Sequence, residues 1–173
     1  MRLALALFAL LALAGCGSSS PQEPLPLLPA SALPGLESST QSLDGADLAA
    51  DFGSGASFAG FVAGSERVFQ GESHDLDRVV SRTLEFESDA DAMAYVEYLR
   101  AHVADLYGAG TTTKPFENRG RTSYLVDPAA CACHRAAPTL TAAVAAGPRV
   151  TYLEINGDGA TPAARDDLLA QAP

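Results

Sequence analysis

The sequence predicts an α+β domain. It reads as a mainly antiparallel sheet of about five to six strands, with a long central helix and a C-terminal helix. Three observations predict it. Short β-rich segments recur in pairs, joined by links rich in Gly, Pro and Asn, which is the mark of hairpins, and Asp77 to Glu87 shows period-two alternation. Asp89 to Leu106 carries apolar residues at helical spacing instead. A second helical segment opens at Thr161-Pro162, behind the last hairpin, with Pro at the first helical position.

Each element follows from local chemistry. Asp47 to Phe52 reads as a short helix, and Gly53, Gly55 and Gly60 then break regularity. Glu66 to Gln70 reads as a strand, Gly71 to Asp75 as a turn, and Asp77 to Glu87 as a second strand, the two forming a hairpin. Alternation in the second strand puts Val80, Leu84 and Phe86 on one face and Ser81, Thr83, Glu85 and Glu87 on the other. Ser88 is a favourable N-cap for the central helix, and Asp89 and Asp91 suit the positive end of its dipole. Met93, Val96, Leu99, Val103 and Leu106 form the expected buried stripe, with Tyr95, Tyr98 and His102 along its margin. Gly108 and Gly110 end the helix. Asn118-Arg119-Gly120 reads as a turn before a strand over Thr122 to Val126. Thr139 to Ala145 and Arg149 to Ile155 form a last hairpin through Gly147-Pro148, with Thr151, Leu153 and Ile155 on one face. Asn156 to Gly159 turns the chain into the final helix, which runs through Ala170. The order is roughly ββ-α-ββ-ββ-α, and about 130 residues are enough for one modest core.

The start of the chain reads as an address. Arg2 supplies a positive n-region, and Leu3 to Leu13 is an eleven-residue run of Leu, Ala and Phe. A membrane span needs about 20 apolar residues, whereas a secretory h-region needs about 7–15. Leu13-Ala14-Gly15-Cys16 resembles the lipobox of bacterial lipoproteins. That resemblance implies diacylglycerol on the Cys16 sulfur, cleavage just before it, and a domain outside the cytoplasm. The expected organisation is therefore a signal peptide over 1–15, a lipidated Cys16 and Pro/Ser-rich tether over 16–40, and one domain over 41–173. Pro21, Pro24, Pro26, Pro29 and Pro34 favour an extended, semi-rigid stalk, although Leu25, Leu27, Leu28 and Leu33 are unusual in a solvated linker.

Charge narrows the partners. The 173 residues carry 11 Lys and Arg against 21 Asp and Glu. Such a chain repels phosphate backbones, so no nucleic-acid partner is expected. The excess is uneven: Cys16 to Glu66 holds six acidic residues and no Lys or Arg, while the chain from Lys114 onward holds six of each sign.

The chemistry-bearing residues are few. With Cys16 lipidated, Cys131 and Cys133 remain, followed by His134. An extracytoplasmic compartment permits a Cys131–Cys133 disulfide, but so close a pair closes a very small, strained ring. Two free thiols, or an intermolecular bridge, are the second option. A soft-metal site formed by Cys131, Cys133 and His134, completed by His74, His102 or Asp127, is the third. One residue separates the cysteines, so neither the thioredoxin-like nor the haem-attachment spacing is met. No G-x-S-x-G, H-E-x-x-H or P-loop pattern occurs, and Asn156 to Gly159 lacks the spacing of an EF-hand. Glu85, Glu87, Asp89 and Asp91 read as a solvated face plus a helix N-terminus rather than a Ca²⁺ site. No cofactor is expected.

In layout, roughly Asp44 to Gln171 resembles small actinobacterial lipoproteins with sensor-type or PsbP/Mog1-like domains. The resemblance implies a non-catalytic domain that binds an envelope protein or a small molecule, held to a membrane by the lipid anchor. The alternative is a thiol-based metal-binding or redox lipoprotein using Cys131, Cys133 and His134.

Overall fold

The computed structural model describes residues 23–52, 56–71, 75–107, 112–118, 121–127 and 139–173. Seven strands form one antiparallel sheet: β1 (Glu37–Leu43), β2 (Phe61–Gln70), β3 (Arg78–Phe86), β4 (Thr112–Asn118), β5 (Arg121–Asp127), β6 (Thr139–Ala146) and β7 (Arg149–Asn156). Their order is β1-β2-β3-β7-β6-β5-β4, so two meanders meet at the β3–β7 pair. The helices are α1 (Gly45–Ala50), α2 (Asp89–Ala101), α3 (Val103–Tyr107) and α4 (Pro162–Gln171). The α+β expectation holds.

The sheet is wider than expected because β1 begins inside the stretch that reads as the end of the tether. Its residues, Glu-Ser-Ser-Thr-Gln-Ser-Leu, lack apolar alternation, and all but Leu43 are exposed. Pairing with β2 makes it a strand. β2 itself begins at Phe61, five residues before the predicted start. Ala63 to Glu66 are all buried, and a strand covered on both faces does not alternate.

The tether boundary also moves. Leu28 is 0% exposed in a core with Phe69, Val79, Leu153 and Ile155. An extended Pro-rich segment has no internal hydrogen bonds, so its backbone groups need outside partners. Three buried hydroxyls on one face of β2 and β3 meet that need. The Leu25 N–H donates to Ser65 Oγ (2.9 Å), the Leu28 N–H donates to Ser81 Oγ (3.3 Å), and Thr83 Oγ1 donates to the Pro26 carbonyl (2.5 Å). Arg67 Nη1 donates to the Leu28 carbonyl at 2.7 Å. Residues 25–36 are therefore part of the domain, and Leu28 and Leu33, two of the leucines that suit a tether poorly, cover this face together with Leu36 and with Leu168 and Leu169 of α4.

The opposite face packs Leu84, Phe86, Val150 and Tyr152 against α2 and against Leu48 of α1. Ser88 caps α2, accepting from the Asp91 N–H at 3.2 Å. The predicted helix breaks at His102, whose φ of −110° and ψ of 18° separate α2 from α3. The buried stripe is Ala92, Tyr95, Val96, Leu99 and Val103, whereas Met93 is 38% exposed. Successive helix residues turn by about 100°, so Met93 cannot share a face with Ala92. The sheet takes the small Ala92 and the aromatic Tyr95, a residue that the sequence pattern puts on the margin. Among the described residues, no helix is long and apolar enough to cross a membrane.

The turn after β7 depends on Gly157, at φ +133°. A Cβ there would lie 2.8 Å from both Asp77 N and Leu76 Cα. Gly157→Ala is expected to destabilise by about 2–3 kcal/mol through strain and backbone clash. Gly147→Ala, at φ +62° with only Asp89 Oδ1 within 3.8 Å, should cost about 1 kcal/mol. Urea unfolding followed by circular dichroism checks this; equal losses at the two sites would refute the clash.

Candidate functional site

Register builds a polar row across the α2-side face. Gln41 pairs with Glu66, Glu66 with Arg82, Arg82 with Tyr152, and Tyr152 with Ala143. Paired residues in an antiparallel sheet point to the same side, so the side chains meet. Gln41 Nε2 donates to Glu66 Oε1 at 2.9 Å, and Arg82 Nε donates to Glu66 Oε2 at 2.6 Å. The Arg82 guanidinium lies 5.4 Å from the centre of the Tyr152 ring. Tyr152 Oη donates to Glu154 Oε2 at 3.2 Å, and Glu154 Oε1 accepts from Arg78 at 2.8 Å. Arg82 also pairs with Asp51, which caps the C-terminal end of α1.

Each charge in this row has a partner of opposite sign. Burial works against the Arg82 cation, but Asp51, Tyr152 and Glu66 outweigh it and hold its pKa above the usual arginine value. Burial likewise raises the Tyr95 phenol well above the usual tyrosine range, against the lowering pull of Arg82. The row fixes geometry: through Asp51 it ties the end of α1 to β3.

α1 forms one wall of a cleft of about 570 Å³ at the C-terminal end of β1 and the start of β2. Leu43, Ala46, Ala49, Phe58 and Phe61 give it apolar walls, and Glu23, Asp44, Ser42, Ser57 and Ser65 give it polar atoms. Asp44 faces it while capping α1, accepting from the Ala46 and Asp47 N–H groups. Behind Phe58 lies an aromatic cluster. Phe58 meets Tyr95 and Tyr98 edge-on at 5.0 and 5.2 Å, and Phe52 meets Tyr98 at 4.9 Å.

The predicted site residues fare differently. Cys16, Cys131, Cys133, His134 and His74 lie outside the described residues. His102 stacks on Tyr98 at 3.8 Å, and its Nδ1 lies 3.0 Å from the Tyr98 carbonyl oxygen. Glu85 lies beside Arg149 at 3.3 Å. Among the described residues, no three His, Cys, Asp or Glu side chains gather as a metal site. The row and the cleft were missed at the sequence level, since each needs the strand register. The available signal was charged residues inside predicted strands: Glu66, Arg78, Arg82 and Glu154.

No protein-family model matches the chain, and no curated protein matches it. Among solved structures, it is similar to the extracellular domain of PknH from Mycobacterium tuberculosis, with 14% identity and a TM-score of 0.39. The match covers 65% of this chain and 63% of that one, so the chain spans less than two thirds of that structure's length.

Proposed function

We propose that this chain is an extracytoplasmic lipoprotein, held to a membrane through lipidated Cys16, whose α+β domain binds a small molecule or an envelope protein without catalysis. The observation that carries the binding function is the cleft. Its volume of about 570 Å³ falls in the range of about 300–1,000 Å³ usual for ligand sites, and it combines apolar walls with a few polar groups. The Leu13-Ala14-Gly15-Cys16 box, behind an eleven-residue apolar run, supports the anchor.

The early docking of the Pro-rich segment adds a spatial consequence. Leu25 already bonds Ser65, nine residues after Cys16. At about 3.5 Å per residue, that length reaches at most about 30 Å, which keeps the sheet close to the bilayer.

Two measurements test this function. In a host that processes lipoproteins, the protein should partition to membranes with a diacylglycerol mass on Cys16, and Cys16→Ser should move most of it to the soluble fraction. In a ligand-detected NMR screen on the same protein, hits should lose affinity in Ala46→Phe, which fills the cleft. Membrane retention of Cys16→Ser, or hits indifferent to Ala46→Phe, would remove the corresponding half of the proposal.

A further inference from the structure

The two edges of the sheet differ in chemistry. An exposed edge strand invites another strand, and proteins blunt such edges with Lys, Pro, bulges or short length. β4, at one edge, contains both Lys114 and Pro115. β1, at the other, contains neither. It runs seven residues in unbroken register with β2, and Glu37 to Ser42 are all exposed. Among the described residues, only β2 pairs with it.

The cleft continues this edge, since Ser42 and Leu43 end β1 and also line the cleft. The surroundings are predominantly acidic. Residues 23–66 hold six carboxylates and no Lys or Arg. Asp51 and Glu66 are engaged by Arg82, and the other four, Glu23, Glu37, Asp44 and Asp47, are exposed. Arg67, the nearest cation on β2, donates to Thr40 Oγ1 and to the Leu28 carbonyl.

We propose that β1 and the cleft at its C-terminal end form a docking groove for an extended, basic segment of a partner protein, which joins the sheet as a further antiparallel strand. This deepens the binding function proposed above and rests on it. The main chain of β1 supplies the ladder, about 23 Å long at about 3.3 Å per residue. Alternate side chains of the incoming strand fall on the two faces of the sheet. One apolar side chain enters the cleft against Phe58 and Phe61, and neighbouring basic side chains meet Asp44 and Glu23. A second copy of this chain fits less well, because it brings the same acid-rich edge.

The test uses the full chain, purified in detergent, and three synthetic nine-residue peptides, each with Leu at its centre: otherwise alternating Lys and Thr, alternating Glu and Thr, and alternating Lys and Pro. The Lys/Thr peptide should slow amide hydrogen exchange across 37–43 by about tenfold or more at saturation and leave 112–118 unchanged. The Glu/Thr peptide should not, for want of charge complementarity, and the Lys/Pro peptide should protect far less, because proline holds φ at about −65°, away from the antiparallel strand value. Ser39→Lys, which adds to an exposed position the guard that β4 has, should weaken Lys/Thr binding by about tenfold. Asp44→Asn, which keeps the cap, should weaken it about two- to fivefold. Unchanged exchange in β3 and β7 verifies the fold of both variants.

Equal protection by the Lys/Pro peptide would overturn the proposal in favour of charge attraction alone. Protection of 37–43 that rises with protein concentration without peptide would overturn it in favour of self-association. If β1 stays unprotected while screen hits still respond to Ala46→Phe, the edge proposal fails and the binding function stands.

Discussion

Glu66→Ala is expected to destabilise the domain by about 3 kcal/mol, the low end of the cost of breaking a buried ion pair. The Glu66 side chain is 7% exposed and that of Arg82 is 16%, so the orphaned guanidinium regains little water. Asp51 still faces Arg82, which keeps the loss from being larger. Asp51 is itself 33% exposed, and Asp51→Ala should therefore cost only about 1 kcal/mol. The double variant Glu66→Leu/Arg82→Met should recover most of the stability lost in Glu66→Ala, because an apolar pair carries no desolvation penalty. Urea midpoints by far-ultraviolet circular dichroism give the comparison, which suits a chain with no Trp. A Glu66→Ala loss below that of Asp51→Ala would mean that the row is effectively hydrated. If the double variant is stable but binding at the neighbouring cleft weakens, the row serves to position α1 rather than to stabilise the fold.

Leu28→Ala should cost about 3 kcal/mol, within the range of about 2–5 for emptying a buried Leu site. Were residues 16–40 the solvated stalk their prolines suggest, the loss would stay within about 0.5 kcal/mol. Pro24→Ala, at an exposed position just before the docked segment, is the internal control and should fall inside that smaller range. Exchange at the Leu28 amide should report the same docking, since that N–H is held by Ser81. Equal, negligible losses in Leu28→Ala and Pro24→Ala would return the segment to the tether.

The parts of the fold that were legible share a short physical range. Ser88 and Thr161 cap their helices by accepting from N–H groups three residues on, at 3.2 Å in both cases. The hairpin β6–β7 follows from two strand-length runs around Gly147-Pro148. These choices are made within one turn of chain, so residue types alone carry them. The errors share the opposite property. Met93 and Tyr95 exchanged places because stripe membership depends on which side the sheet approaches. β1 was hidden because Ser, Thr and Gln become a strand only when β2 offers its edge.

Residues near one another in sequence therefore determined the helix ends, the hairpins, the α+β class and the concentration of acid before Lys114. Tertiary structure alone decided that residues 25–40 pack with the domain, that the polar row forms, and that a cleft opens beside an unguarded edge. Arg82 finds Glu66 across 16 residues, and Arg78 finds Glu154 across 76. Partners so distant are selected by strand register, and register is set by the burial of both sheet faces together, a quantity that no local window of sequence contains.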